Sequence, residues 1–162
     1  LHLCDRRQRQ MCIRDSCIAE DGTSWLNYAD TLSDKRRLQA VAANYWRRHQ
    51  LLPPIEVTAD CQNVDFCRHQ QIVFYHGCRI CMVTDNRWRN KSAASPLFIN
   101  YMYLCKGYNG RLEELTGLFS PSCILLDASL SDDRKQFFRE ECKRLHLHFI
   151  TLSEEGSVRF LL

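Results

Sequence analysis

The stretch from Leu97 to Ser129, LFINYMYLCKGYNGRLEELTGLFSPSCILLDAS, constrains the fold more than any other. Leu97 to Cys105 is mostly apolar and β-favouring, the pattern of a strand buried on both faces. Lys106 to Gly110 (KGYNG) reads as a loop whose two glycines permit backbone shapes that other residues resist. Leu112, Leu115, Leu118 and Phe119 recur at helical spacing, and Cys123 to Leu126 is a second apolar run ending at Asp127. Strand, helix and strand in that order predict a parallel βαβ unit with a right-handed crossover. Ligands of such units usually sit beyond the carboxyl ends of the strands. KGYNG and the Asp127-Ala128-Ser129 turn therefore fall side by side at the expected functional edge.

The 162 residues suffice for one domain with a real core, and 45% hydrophobic with 25% charged residues is ordinary for a globular chain. No apolar run approaches the roughly 20 residues of a membrane span. No signal-peptide pattern is present. Residues 1–16, LHLCDRRQRQMCIRDS, have no helical or strand period, and MCIRDS resembles a translated sequencing-adapter scar of the kind found at the ends of metagenomic reading frames. The expectation is a disordered artefact over 1–16 and a single α/β domain over 17–162; the alternative is a genuine basic arm. The string holds four arginines and two aspartates, a net +2, so the formal +3 of the chain falls to +1 beyond it. Overall charge therefore gives no argument for nucleic acid.

Ten cysteines are present, two of them (Cys4 and Cys12) in the N-terminal string. Cys78 and Cys81 have the spacing of a zinc knuckle, but no second such pair follows. On a predicted strand a separation of three points them to opposite faces. Buried free thiols, which pack as small hydrophobes, are the expectation, and no disulfide framework emerges.

Along the chain, Cys17 to Tyr28 reads as a hairpin about Asp21-Gly22. Ser33 caps a helix whose stripe is Leu38, Val41, Ala42, Tyr45 and Trp46, with Lys35, Arg36, Arg37, Arg47 and Arg48 on a solvated face and Pro53-Pro54 ending it. Ile55 to Ala59 is a short strand and Asp60 to Phe66 a polar loop. Gln71 to Tyr75 and Cys78 to Val83 form a second hairpin about His76-Gly77. Residues 85–96, DNRWRNKSAASP, are a polar loop without period. Here Arg87, Trp88, Arg89 and Lys91 fit two readings: cations gripping a phosphate while the indole stacks on a base, or a tryptophan folded back onto the core. After the central unit, Ser131 caps a helix with the stripe Phe137, Phe138, Cys142 and Leu145. His148 to Leu152 and Val158 to Leu162 then close the domain as strands joined by a turn at Ser153 to Ser157. The order is two hairpins, then βαβαββ, an α/β fold.

Several of these features taken together resemble a known family. NYWRRH around Trp46, the hairpin IVFYHGCRICMVTD, the run LFINYMYLCKGYNGRLEELTGLF, the segment ILLDASLSDDRKQFFREECKRLHL and the ending LSEEGSVRFLL look like the C-terminal domain of ComEC-type competence proteins, and most like the Bacteroidetes form. The likeness covers essentially residues 17–162 and rests on the ordered set rather than on any one motif. It implies an inner-membrane channel that passes single-stranded DNA into the cell during natural transformation. The transmembrane channel portion of the same protein, upstream of this chain, is then its partner. It also implies a truncated version of the metallo-β-lactamase αββα sandwich. Active members of that superfamily carry His-x-His-x-Asp-His on the strand-to-helix loop, holding metals that activate water.

Setting the family loop on this one puts Lys106, Tyr108, Gly110 and Arg111 at the four ligand positions. A lysine is protonated at neutral pH, an arginine has no lone pair to give, a glycine has no side chain, and a phenol is a poor ligand. No shift of register helps, since no histidine lies between His76 and His146. The expectation is a degenerate site with no metal, no catalytic residue and no cofactor. Lys106 and Arg111 are either solvent-facing charges or cations that attract a phosphate. The functional expectation is a non-catalytic domain that is structural or guides single-stranded DNA through Arg87, Trp88, Arg89, Lys91, Lys106 and Arg111. The alternatives are a metal-dependent nuclease of the same superfamily and a generic α/β binding domain. Asp127 is expected to brace its turn, since GxSxG, Walker and GxGxxG patterns are absent. From the ligand positions, the purified protein should carry no stoichiometric zinc or manganese after dialysis; one metal per chain by elemental analysis would refute the degenerate site.

Overall fold

The computed structural model describes residues 15–18, 24–27, 43, 47, 48, 50, 53, 55–57, 60–63 and 66–155. Strands β1 (Asp15–Ile18), β2 (Ser24–Asn27) and β3 (Ile55–Val57) form a small sheet, with β1 and β2 antiparallel and β2 and β3 parallel. The antiparallel pairing expected of the first hairpin is present, its turn at Asp21-Gly22 lies outside the described residues, and β1 also takes in Asp15 and Ser16 from the N-terminal string. Ala43, Arg47 and Arg48 are helical, and both arginines are exposed as expected. The rest of that helix's stripe, including Trp46, lies outside the described residues, as does the strand expected at Val158 to Leu162.

The main sheet has seven strands. Its first half is antiparallel: β4 (Cys61–Gln62), β5 (Phe66–His69), β6 (Ile72–Tyr75) and β7 (Cys78–Val83). Its second half is parallel: β7 beside β8 (Leu97–Leu104), β9 (Phe119–Leu126) and β10 (Phe149–Thr151). Helix α1 (Leu112–Thr116) joins β8 to β9, and α2 (Asp132–Arg144) joins β9 to β10; α3 (Leu152–Glu155) follows β10. This is the expected α/β fold.

Three boundaries differ from the sequence reading. The segment read as a loop at Asp60 to Phe66 contains β4 and runs into β5, for which the sequence shows no strand signal. The turn after β5 uses Gln70, at φ 53, rather than the Asn-Gly type that signals a hairpin, so the pairing was hidden. Helix α1 stops at Thr116, and Phe119, read as helical, opens β9. The turn expected at Ser153 is the short helix α3.

Two cores lie on opposite faces of the main sheet. One face carries Cys81, Val83, Ile99, Met102, Leu104, Ile124 and Leu126 against Leu112 and Leu115 of α1 and Phe138 and Cys142 of α2. The other face carries Phe66, Val73, Ile80, Tyr103 and Leu125, and Val57 of β3 is buried among them, so the small sheet covers this side. Cys78 and Cys81 fall in different cores, as strand spacing requires. Pro121 is tolerated in β9 because β10 pairs only with Ile124 to Leu126, which leaves the first half of β9 as a local edge.

The four parallel strands lie in chain order, so each connection must return over the same face. Helices α1 and α2 make two of these returns. The first is made by the irregular residues 84–96, and Trp88 fills the place of a helix, packing edge-on against Phe119 with ring centroids 5.1 Å apart.

Two glycines are fixed by this geometry. Gly77 sits at φ 79 in the β6–β7 turn beside His76 at φ 43, the backbone of a two-residue hairpin turn, with open space where a side chain would go. Gly107, at φ 114, lies where a Cβ would run into the carbonyl oxygen of Thr84 at the end of β7. Gly77→Ala should therefore cost about 1 kcal/mol of backbone strain alone, and Gly107→Ala about 2–3 kcal/mol because a collision is added. Urea midpoints of the two variants check the order, and equal costs would mean that the Gly107 contact relaxes freely.

Candidate functional site

The carboxyl ends of β7, β8 and β9 bring Thr84 and Asp85, Lys106 and Gly107, and Asp127 to Ser129 to one edge. The amide of Lys106 donates to Ser129 Oγ at 3.2 Å, so the two loops are side by side as expected. Asp127 is fully buried between them. Its Oδ2 accepts the Tyr103 hydroxyl at 2.5 Å, and its Oδ1 accepts the Ser129 amide at 2.7 Å. Burial pushes this carboxyl above the usual range, and hydrogen bonds from Ser129 and Tyr103 pull part of the way back. Its role is to brace the turn.

The Lys106–Arg111 loop folds inward. Tyr108, 1% exposed, stacks on Phe138 with centroids 6.2 Å apart, and its hydroxyl donates to the Arg111 carbonyl at 2.7 Å. Burial drives its phenol well above the ordinary value. A side chain on Gly110 would meet Tyr108 Cζ at 2.6 Å, so glycine there is what admits the ring. Arg134 of α2 closes the loop from the other side, donating to the carbonyls of Tyr108 at 3.3 Å and Gly110 at 3.0 Å. Its guanidinium lies over the rings of Phe137 and Phe138, 4.7 and 4.4 Å from their centroids. Glu141 of α2 then accepts the Leu112 amide at 2.7 Å, capping α1 from a neighbouring helix because Arg111 supplies no side-chain cap.

The four positions matched to metal ligands do not converge. Tyr108 and Gly110 are inside, and Lys106 and Arg111 are exposed. Among the described residues, no group of three or more histidine, cysteine or acidic side chains is placed to hold a metal ion. Cys81, whose thiol burial pushes up to about 12, and Cys123, pushed up to about 11, are protonated thiols at neutral pH.

In residues 84–96 the structure separates the candidates. Arg87 grips Asp85 with Nε 3.0 Å from both carboxylate oxygens and Nη2 2.8 Å from Oδ2, and the guanidinium holds that carboxyl below its usual range. Arg89 Nε lies 3.2 Å from Glu114. Trp88 Nε1 donates to Gln71 Oε1 at 2.6 Å, and Gln71 Nε2 donates to Thr84 Oγ1 at 2.6 Å. The tryptophan is thus folded back onto the core, with Lys91 Nζ 5.6 Å above its ring. Asn86 Oδ1 accepts the Asn109 amide at 2.9 Å, tying this loop to the Lys106–Arg111 loop. All five cations of the two loops are exposed, and Lys91, Lys106 and Arg111 are those without an ion pair among the described residues. Arg134, Glu141 and Gln71 act on loops distant along the chain and carry little signal in the sequence; for Arg134 and Glu141 the one local cue is a charged residue in or next to an apolar helical stripe, and Gln71 has none.

The ordered inward loop, the Asp127 turn and the seven-stranded sheet stand beside a direct comparison: the family model of the ComEC C-terminal domain matches residues 12–162. The chain belongs to that family. Membership fits a competence protein of DNA uptake. No curated protein and no solved structure matches this ComEC C-terminal domain. None of its described helices is long and apolar enough to cross a membrane.

Asp127→Asn tests the brace. It turns one acceptor into a donor facing Tyr103 or Ser129 and should cost about 1–3 kcal/mol. The native carboxyl is raised above its ordinary 3.8, so the native state holds this proton more tightly than the unfolded chain does. The stability it contributes is full below 3.8 and declines as pH rises through the raised native value. The wild-type advantage over Asp127→Asn should shrink with rising pH across that window in denaturant midpoints; an advantage that grows would reverse the sign of the shift.

Proposed function

We propose that this ComEC C-terminal domain is a non-catalytic part of a DNA-uptake inner-membrane protein, a scaffold that also guides single-stranded DNA. The observation that carries the reading is Tyr108. The loop that would present metal ligands in a metallo-β-lactamase relative is here filled by a buried phenol, closed by Arg134 and seated on Gly110. Tyr108 supplies the one side-chain oxygen among the four positions, and its hydroxyl is committed to the Arg111 carbonyl. A hydrolytic role at this loop would require the loop to be rebuilt.

The guiding role rests on cations. Arg87 and Arg89 are engaged by Asp85 and Glu114, and Trp88 by Gln71 and Phe119, so Lys91, Lys106 and Arg111 are the groups open to a phosphate. Such contacts are blind to sequence and depend on salt, because each neutralised phosphate releases counterions. Fluorescence anisotropy with labelled single strands should show weak binding at low salt. Replacing Lys91, Lys106 and Arg111 together with alanine should lower affinity about equally for any sequence and flatten the salt slope by roughly 2–3. Replacing Arg87 and Arg89 should have a smaller effect. No binding at low salt, or binding that the triple variant leaves unchanged, would leave the scaffold role alone.

A further inference from the structure

The opposite edge of the sheet carries a bare apolar tip. Leu97 and Phe98 open β8 and are 41% and 51% exposed. Successive strand residues face opposite sides, so here the strand is uncovered on both faces. The register explains why: β7 pairs with β8 only from Ile80 and Tyr101 onward, while Leu97 and Phe98 are held from one side by Phe119 and Ser120. The strand end therefore projects past β7. Phe74 of β6, 41% exposed, lies opposite Arg79 in the sheet, and the Arg79 guanidinium reaches the Phe98 carbonyl at 3.5 Å. The segment leading into the tip, residues 90–96, is exposed throughout and includes Lys91, Ala93, Ala94 and Pro96.

Charge is divided along the chain to match. From Phe66 to Leu112 there are seven lysines and arginines against the single acid Asp85, which Arg87 neutralises, while Arg89 is paired with Glu114 beyond this stretch. From Glu113 to Glu155 nine acids face five bases. The tip thus lies in the positive half. Helix α2, which must run back between two parallel strands, ends at the same edge with Lys143 exposed and Arg144 paired with Glu113 and Glu141.

We propose that this tip docks on an anionic lipid bilayer surface, with Leu97, Phe98 and Phe74 seated at the headgroup–acyl boundary and Arg79 and Lys91 meeting lipid phosphates. Protruding apolar side chains surrounded by cations suit that boundary. Leu97 offers no π-face to a base, and Leu97 and Phe98 stand on opposite sides of a strand end rather than in a row, so the geometry is poor for stacking a single strand. Docking through this edge would turn the Lys106 and Ser129 loops away from the bilayer.

Co-sedimentation of the full chain with vesicles tests this. Vesicles of phosphatidylglycerol and phosphatidylethanolamine should bind it at low salt, and phosphatidylcholine vesicles should bind it at least about tenfold more weakly. The Leu97→Glu/Phe98→Glu variant should lose about tenfold or more on anionic vesicles while keeping its denaturant midpoint, since both side chains are exposed. Should that midpoint fall, Phe98→Ser takes its place, with the same direction expected. No binding to anionic vesicles, or binding that these substitutions leave unchanged, overturns the proposal. Loss of single-strand binding in the tip variant without any vesicle binding also overturns it and makes the tip a nucleic-acid surface. Alanine at Lys106 and Arg111 should move only the DNA measurement, which keeps the two readings separable.

Discussion

Everything else in the domain depends on the parallel pairing of β8 with β7 on one side and β9 on the other. With the parallel strands in chain order, the chain must cross one face three times, and that face is then built from whatever the crossovers supply. Leu112 and Leu115 come from a helix of five residues, Phe138 and Cys142 from one of thirteen, and Trp88 from no helix at all. Fully burying a Leu or Phe side chain stabilises by about 1.5–3 kcal/mol, whereas a typical hydrogen bond adds about 1 kcal/mol net. Apolar contact therefore decides where the irregular crossover lies, and the Trp88–Gln71 bond fixes its orientation.

The Lys106–Arg111 loop shows how polar groups are settled once apolar packing has set the frame. Burying Tyr108 draws the carbonyls of Tyr108 and Gly110 toward the core, where each needs a donor. One Nη of Arg134 serves both, and its planar guanidinium lies against two phenylalanine rings. Lysine at this position would bring a compact, strongly hydrated charge that cannot stack flat on the two rings. Arg134 Nε is left buried without a partner, which marks how tightly the site is constrained by packing.

How much of this was legible follows from the range of the interactions. The βαβ core, the His76-Gly77 hairpin and the adjacency of the Lys106 and Asp127 loops rest on local periodicity and turn chemistry, and all of these were readable. β5 was not, because Gln70-Gln71 carries no turn signal. The early end of α1 was not, because Leu118 and Phe119 keep helical spacing while sheet pairing claims Phe119. At the site, residue types alone showed that Lys106, Tyr108, Gly110 and Arg111 are poor metal ligands. They could not show Tyr108 turned inward, since the partners Phe138 and Arg134 sit a helix away. Between the two readings of Trp88, only the position of Phe119 and Gln71 could choose.

The cysteines carry a different consequence. Seven of those described are free thiols, five of them buried, and they are spread over both cores. While the sheet is closed, the five buried thiols are shielded, so an oxidant has few targets. Once it opens, all of them become available to pair in combinations that the native fold never uses. In an oxidising medium, unfolding would then be a one-way event. The lifetime of the domain there would be set by how slowly the sheet opens rather than by how favourable closure is.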